Sequence, residues 1–299
     1  MVGSGVVRCL NDRGYTNLIL VDDLKQSEKW RNLVGKQFLD LVSRHQIQSS
    51  LSPDIDAIIH LGACSDTEET NGDYLLENNT RFSIRLAEWA FAHQKRFIYA
   101  SSAATYGDGS LGFSDAEEEL HHLRPLNLYA FSKHLFDLWM VRQGGFRRAV
   151  GLKYFNVFGP NEYHKGRMAS LICKTVKKAH TEGYLELYKQ GEQSRDFIYL
   201  KDAARITCDF LEHSTTGIFN IGSGEATTWN QLAITLFQAL GKSPDIRYIE
   251  MPSHLVKRYQ SYTCAEMRKL WNLIPMRVTP FTEAVSDYVQ NYLIKDAQW

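Results

Sequence analysis

Tyr129 and Lys133 stand four residues apart in the run Asn127-Leu128-Tyr129-Ala130-Phe131-Ser132-Lys133. On a helix that spacing puts a phenol and an ammonium on one face, one turn apart. The pairing has a chemical use. A tyrosine titrates at about 10 in model peptides, too high for a general base at neutral pH, and a neighbouring cation favours the phenolate. Tyrosine is then the base and lysine its helper. Ser102 lies upstream in Ser101-Ser102-Ala103-Ala104-Thr105-Tyr106-Gly107, directly after the β-rich run Phe97 to Ala100. Its hydroxyl is expected at the carboxyl end of a sheet strand, where open α/β folds bind ligands and where a serine can hydrogen-bond a reacting alcohol or ketone. A tyrosine and a lysine at fixed spacing also arise by chance. A strand, a serine-rich turn and then this pair on a helix form the stronger pattern.

The elements needed to hold these groups are visible as alternating periodicities. Short apolar runs at Leu18 to Val21, Ala57 to Leu61, Phe97 to Ala100 and Val150 to Tyr154 read as strands. Between two of them Ile84, Ala87 and Phe91, with Leu86 and Ala90, recur every three or four residues like the buried stripe of a helix. Repeated βαβ units with a parallel sheet are the expected result. The later part, from about Met168, mixes helices at Asp202 to Leu211 and Trp229 to Leu240 with strands near Phe219 and at Ile246 to Ile249. The expected organisation is a nucleotide-binding domain over residues 1–167 and a smaller α/β substrate-binding domain over 168–299, some of whose segments return to the first. No repeat or Pro-rich linker separates them.

The N-terminal residues resemble the back half of a dinucleotide fingerprint. Gly3 and Gly5 lead into Val6, Val7 and Leu10, Gly14 reads as a stop, and the strand that follows ends in Asp22 and Asp23. In dinucleotide folds the helix amides hold the pyrophosphate and an acid after the next strand takes a ribose hydroxyl. Only Met1 and Val2 precede Gly3, so the doubly wound, Rossmann-like sheet is expected to lack its first strand and the turn its earlier glycines. Such a chain is expected to bind its dinucleotide more weakly than one extended upstream. On these glycines alone, a flexible start with Asp22 in a turn is an equal reading.

Bulk properties exclude several classes. The 299 residues suffice for one large core or two modest ones. Lys plus Arg equals Asp plus Glu at 34 each, with no basic run interleaved with aromatics, which argues against nucleic acid or an anionic membrane and for a small-molecule partner. The five cysteines are scattered, without a CxxC pair, so neither a disulfide framework nor a zinc site is expected. Reduced thiols in the cytoplasm are the expectation. No run approaches the about 20 apolar residues that span a bilayer, and no secretory signal is recognisable.

With the serine turn and the Tyr-Lys pair in place, the chain resembles the extended short-chain dehydrogenase/reductase family. The likeness covers nearly everything after Gly3: His60-Leu61-Gly62-Ala63-Cys64-Ser65, Glu77-Asn78-Asn79, Tyr99 to Gly107, Pro125 to Lys133, Lys153 to Pro160, His164-Lys165-Gly166, Arg195-Asp196-Phe197 and Lys257-Arg258-Tyr259-Gln260. The Gly-Ala-Cys-Ser and His-Lys-Gly segments set it apart from the uridine-sugar epimerases. That resemblance implies redox epimerisation of ADP-D-glycero-D-manno-heptose at C6 through a 6-keto intermediate, supplying heptose to the lipopolysaccharide core. Inversion needs a proton-transfer group on either face of the carbon; by resemblance these are Tyr129 and Lys165, with Ser102 positioning the oxygen and Lys133 on the cofactor ribose.

The same resemblance places Gly3, Asp22, Asp23, Lys29, Arg44, Gly62, Ala63, Cys64, Ser65, Asn78 and Val157 along the cofactor. It places Asn156, Arg167, Lys174, Arg195 and Tyr259, with Ser102, on the substrate. A guanidinium at Arg195 suits a diphosphate; an ion pair with its neighbour Asp196 is the plainer alternative. Asp22 favours NAD through a free 2′-hydroxyl, whereas Lys29 and Arg44 suit the 2′-phosphate of NADP, and the resemblance tips the balance to NADP. A homo-oligomer is implied. Two alternatives stand: a related epimerase or dehydratase acting on another sugar nucleotide, and an inactive sugar-nucleotide-binding protein whose first strand is missing. Between Leu187 and Arg195 the chain is shorter than in many relatives, which bears on the nucleotide pocket.

Overall fold

The structure, a computed structural model, describes residues 1–251 and 260–299. Its largest sheet is four-stranded, parallel throughout, in the order β3 (Ala57–His60), β4 (Arg96–Ser102), β5 (Ala149–Tyr154), β9 (Gly217–Ile221). Strands covered on both faces need continuous apolar sequence, and Phe97, Ile98 and Tyr99 on β4 and Ala149, Val150 and Leu152 on β5 are buried in succession. Gly151 interrupts that run for a steric reason: a Cβ there would stand 2.7 Å from the Tyr99 hydroxyl, which crosses the neighbouring strand. Helices Phe82–Ala92 and Leu128–Arg142 pack on β4 and on each other, while Leu200–Glu212 packs on β4, β5 and β6 (Asn156–Phe158).

The N-terminal helix, Val2–Asp12, leans on Leu200–Glu212, burying Val6 and Leu10 with Ala204 and Cys208. It stops as expected, with Gly14 at φ +86°. β1 (Ile19–Val21) then pairs only with β2 (Asp40–Val42), in parallel. Among the described residues nothing joins this pair to β3, so the expected interruption of the sheet is present. Residues of both strands line one cavity of about 2060 Å³.

The later chain forms a second cluster. β8 (Ser194–Tyr199) lies between β6 and β10 (Ala226–Thr228), and β7 (Leu185–Tyr188) pairs with β11 (Ile246–Ile249). Phe158, Ile172, Leu187, Phe197, Leu236 and Tyr288 bury one another there beneath helices Leu171–Thr181, Trp229–Ala239 and Phe281–Tyr288. The Trp229 helix starts at a reciprocal cap, Thr228 Oγ1 accepting from the Gln231 amide at 3.1 Å and Gln231 Oε1 from the Thr228 amide at 2.8 Å. The expected strands near Phe219 and at Ile246 to Ile249 are present, and the former crosses back to complete the large sheet. No helix among the described residues is long and apolar enough to cross a membrane.

Candidate active site

Ser102 ends β4, its side chain accepting from the Ala104 amide at 3.2 Å, so the chain turns at once into a short 3-10 helix, Ala103–Tyr106. The helix Leu128–Arg142 opens opposite, started by Asn127, whose side chain accepts from the Ala130 amide at 2.8 Å. Tyr129 and Lys133 share one face of it, and Ser102, Tyr129 and Lys133 all line the large cavity. The Ser102 hydroxyl is within hydrogen-bonding reach of the Tyr129 phenol.

The charge balance differs from the sequence expectation. Burial raises the Tyr129 pKa, and the effect working against it is the hydrogen bond from Ser102 rather than the charge of Lys133. Burial also pushes the Lys133 ammonium down to about 8, opposed by the nearby Asp137 carboxylate. With protein groups alone around them both side chains are driven toward their neutral forms, because desolvation outweighs a single neighbouring charge. Lys133 is 3% exposed, and its side chain lines the cavity. An ammonium placed on the cavity wall in this way fits the hydroxyls of a cofactor ribose.

The residues expected along a dinucleotide line that cavity together: Gly3, Asp22, Asp23, Lys29, Arg44, Gly62 to Ser65, Asn78 and Val157. A Cβ at Gly3 would meet nothing within 4 Å, so the first turn of the N-terminal helix opens onto free space, an arrangement suited to phosphate. Asp22 is engaged by Lys29 at 2.7 Å, and Asp23 by Arg44 at 2.7 Å and by Ser43 Oγ at 2.8 Å. Arg44 also reaches Asn78. The loop after β3 is clamped by Asn79, which accepts from the Cys64 amide and donates to its carbonyl, both at 2.9 Å, and donates to Ser132 Oγ at 3.0 Å. Asn79 sits in an irregular π-turn, Leu76–Arg81. Sequence reasoning gave it no role, although its run with Asn78 was visible.

On the other side of the cavity lie Asn156, Lys165, Lys174 and Arg195. Lys165 sits on a loop anchored by the buried Glu162, whose carboxylate accepts from Ser170 Oγ at 2.7 Å and Tyr288 OH at 2.9 Å. Its recorded side-chain contact is Met1 Sδ at 3.8 Å, beside the start of the N-terminal helix. Arg195 is buried, donates to the Ser194 and Gln260 carbonyls and lies over the Trp229 ring. Adjacent strand residues point to opposite faces, and Asp196 accordingly turns away, accepting from the amides of Ser223, Gly224 and Ala265 and from Ser223 Oγ. The alternative of an Arg195–Asp196 pair is therefore not what forms. Arg167 departs from its expected place: it does not line the cavity but bridges Asp66 and Glu68 on the loop after β3. Tyr259 lies outside the described residues.

Residues 1–222 match the NAD dependent epimerase/dehydratase family. The chain is 45% identical to the ADP-L-glycero-D-manno-heptose-6-epimerase of Nitratidesulfovibrio vulgaris, covering 98% of this chain and 95% of that protein. It is 40% identical to the protein of the same name from Fusobacterium nucleatum, over 99% and 96% of the two chains. The structure superimposes on the Helicobacter pylori ADP-L-glycero-D-manno-heptose-6-epimerase with a TM-score of 0.82 at 25% identity, covering 97% and 92% of the chains. A Thermotoga maritima UDP-glucose 4-epimerase shares the fold at TM-score 0.82 and 22% identity, over 99% and 96% of the chains.

Proposed function

The chain belongs to the NAD dependent epimerase/dehydratase family, and from that premise we propose that it converts ADP-D-glycero-D-manno-heptose to its L-glycero epimer at C6 through a 6-keto intermediate. The observation that carries this reading is one cavity bearing the Ser102–Tyr129–Lys133 group together with Lys165 and the dinucleotide-side residues, in a chain close over nearly its whole length to enzymes of that name. The bound nicotinamide supplies a hydride acceptor in the first half-reaction and a donor in the second.

The side chains do the rest. Tyr129 takes the proton of the C6 hydroxyl and Ser102 hydrogen-bonds the same oxygen. Lys165 handles the proton on the opposite face after the ketone has turned, since inversion reverses the side from which the hydroxyl forms. Lys133 holds the ribose with its ammonium. Arg195, Asn156 and Lys174 hold the sugar nucleotide, the guanidinium on the diphosphate. We take NADP as the cofactor: Asp22 and Asp23 are already engaged by Lys29 and Arg44, which leaves them poorer acceptors for a free 2′-hydroxyl and puts two cations where a 2′-phosphate would lie. The reading includes a cytoplasmic homo-oligomer supplying heptose for lipopolysaccharide.

The test is incubation with ADP-D-glycero-D-manno-heptose and NADP, with NMR at C6 and absorbance for the nicotinamide. The expected outcome is the L-glycero epimer without net cofactor reduction, lost in Tyr129→Phe by a factor of roughly 100 or more. A well-folded protein that binds NADP and leaves this sugar unchanged overturns the substrate assignment.

A further inference from the structure

Asp137 lies one helical turn beyond Lys133, on the face that carries Tyr129, and is fully buried. Its Oδ1 accepts from Tyr99 OH at 2.9 Å. Its Oδ2 accepts from Ser101 Oγ at 2.6 Å and from the ammonium of Lys153 at 3.1 Å. Lys153, on β5 and equally buried, also donates to Thr105 Oγ1 at 2.6 Å, and Thr105 Oγ1 donates to the Ser102 carbonyl at 2.8 Å. Ser102 is thus gripped from both sides, through its neighbour Ser101 and through its own carbonyl, by one pair of opposite charges. A buried ion pair is weak grounds for stability, because desolvating two ions costs about as much as their attraction returns. Its location suggests a different use.

We propose that Asp137 and Lys153 are positioning residues for the epimerisation, holding the Ser102 turn in register with Tyr129 and balancing the charge that Tyr129 and Lys133 experience from beneath. This rests on the roles given above to Ser102 and Tyr129. The charged and titratable groups around Asp137 are Tyr99 on β4, Lys153 on β5, Tyr106 in the serine turn, and Lys133 and His134 on its own helix. The charges of Asp115 and Glu117 reach Lys153 and Tyr99 from the following segment. Asp137 disfavours ionisation of Tyr129 and favours the charged form of Lys133; the opposite charge of Lys153, paired with it at 3.1 Å, is placed to offset part of both effects.

Unbalancing the pair in opposite directions separates this role from simple support. Asp137→Asn leaves the Lys153 cation uncompensated and lowers the pH at which Tyr129 ionises; Lys153→Met leaves the Asp137 anion and raises it. Eight residues of helix put Asp137 about 12 Å from Tyr129, and a unit charge at that distance in a medium of effective dielectric about 20 moves a pKa by about 1. Both the pH dependence of kcat and the phenolate absorbance of the NADP-bound protein, taken as a difference from Tyr129→Phe, should shift in opposite directions for the two variants. The double variant should return close to the wild type. The absorbance needs no substrate, so an error in the sugar assignment leaves it readable.

Thr105→Val, which breaks the tie to Ser102 and removes a neutral acceptor of Lys153 while leaving both formal charges in place, should lower kcat roughly tenfold at unchanged KM with a pH profile moved far less than in the two charge variants, and Thr105→Ser should restore it. Folded single variants that shift in the same direction, or not at all, overturn the proposal. If a single variant does not fold, a wild-type kcat in folded Thr105→Val overturns it equally.

Discussion

Replacing Lys133 with methionine is expected to make the protein, without added nucleotide, more stable at neutral pH while abolishing epimerisation. Lys133 is nearly buried, and burial lowers its ammonium from 10.5 to about 8. That difference corresponds to about 3 kcal/mol of folding free energy. Below pH 8 the lysine is protonated in both folded and unfolded chains, so the folded protein bears the whole cost of a buried charge. Between pH 8 and 10.5 the folded chain releases the proton and the unfolded chain keeps it, so stability rises with pH and the cost disappears. Methionine fills a similar length without charge. Urea unfolding at neutral pH should therefore show Lys133→Met more stable by up to about 3 kcal/mol, with the gap cut to about 1.4 kcal/mol at about pH 9.5 and nearly closed at about pH 11. Saturating NADP should narrow the gap from the other side, because wild type alone has the ammonium to place on the ribose. A variant no more stable than wild type at neutral pH, or a gain that persists unchanged in alkali, would refute the reasoning.

Three further outcomes follow from the same structure. His60 is buried, bonded to Ser83 Oγ at 2.8 Å and held neutral down to about pH 3 by burial, whereas an unfolded histidine takes its proton from 6.5 downward. Stability should fall as pH drops through that window by about 5 kcal/mol, and His60→Gln should flatten that part of an acid-unfolding curve. Asp196→Ala leaves the amides of Ser223, Gly224 and Ala265 without their acceptor and should cost about 4 kcal/mol, read as a lowered Tm. Lys29→Ala with Arg44→Ala should reduce the preference for NADP over NAD by roughly tenfold or more in equilibrium binding, and unchanged preference would count against the 2′-phosphate assignment.

The parts of the site legible in the sequence were those whose meaning depends on spacing. Tyr129 and Lys133 declare a shared helix face, and Ser102 follows an apolar run whose burial makes it a central strand. Interactions between distant segments were not legible. Lys153 stands inside the otherwise apolar run Ala149-Val150-Gly151-Leu152-Lys153-Tyr154-Phe155, where an isolated charge is itself a signal of a buried partner, but nothing local identifies that partner as Asp137. Arg167 was assigned by likeness of position, and its pairing with Asp66 and Glu68 depends on where a loop a hundred residues earlier happens to pass. β2 is only three residues, Asp40-Leu41-Val42, too short for periodicity to reveal. The mutual ionisation expected of Tyr129 and Lys133 failed for a reason sequence does not record: the depth of burial each would suffer.

The β1–β2 pair is held to itself by three residue pairs and to the large sheet by none among the described residues, and Trp30, Val34 and Leu39 beside it remain 49%, 66% and 68% exposed. Such a unit has its own small opening free energy, well below that of the β3–β4–β5–β9 sheet, and should exchange its amide hydrogens by local excursions that leave the rest of the molecule folded. A nucleotide that touches both this unit and the N-terminal helix then binds only the closed member of that local equilibrium. Its association should carry part of a folding transition, with a heat-capacity decrease larger than the nucleotide's own buried surface accounts for and with protection of the Ile19 to Val21 amides that deepens in step with saturation.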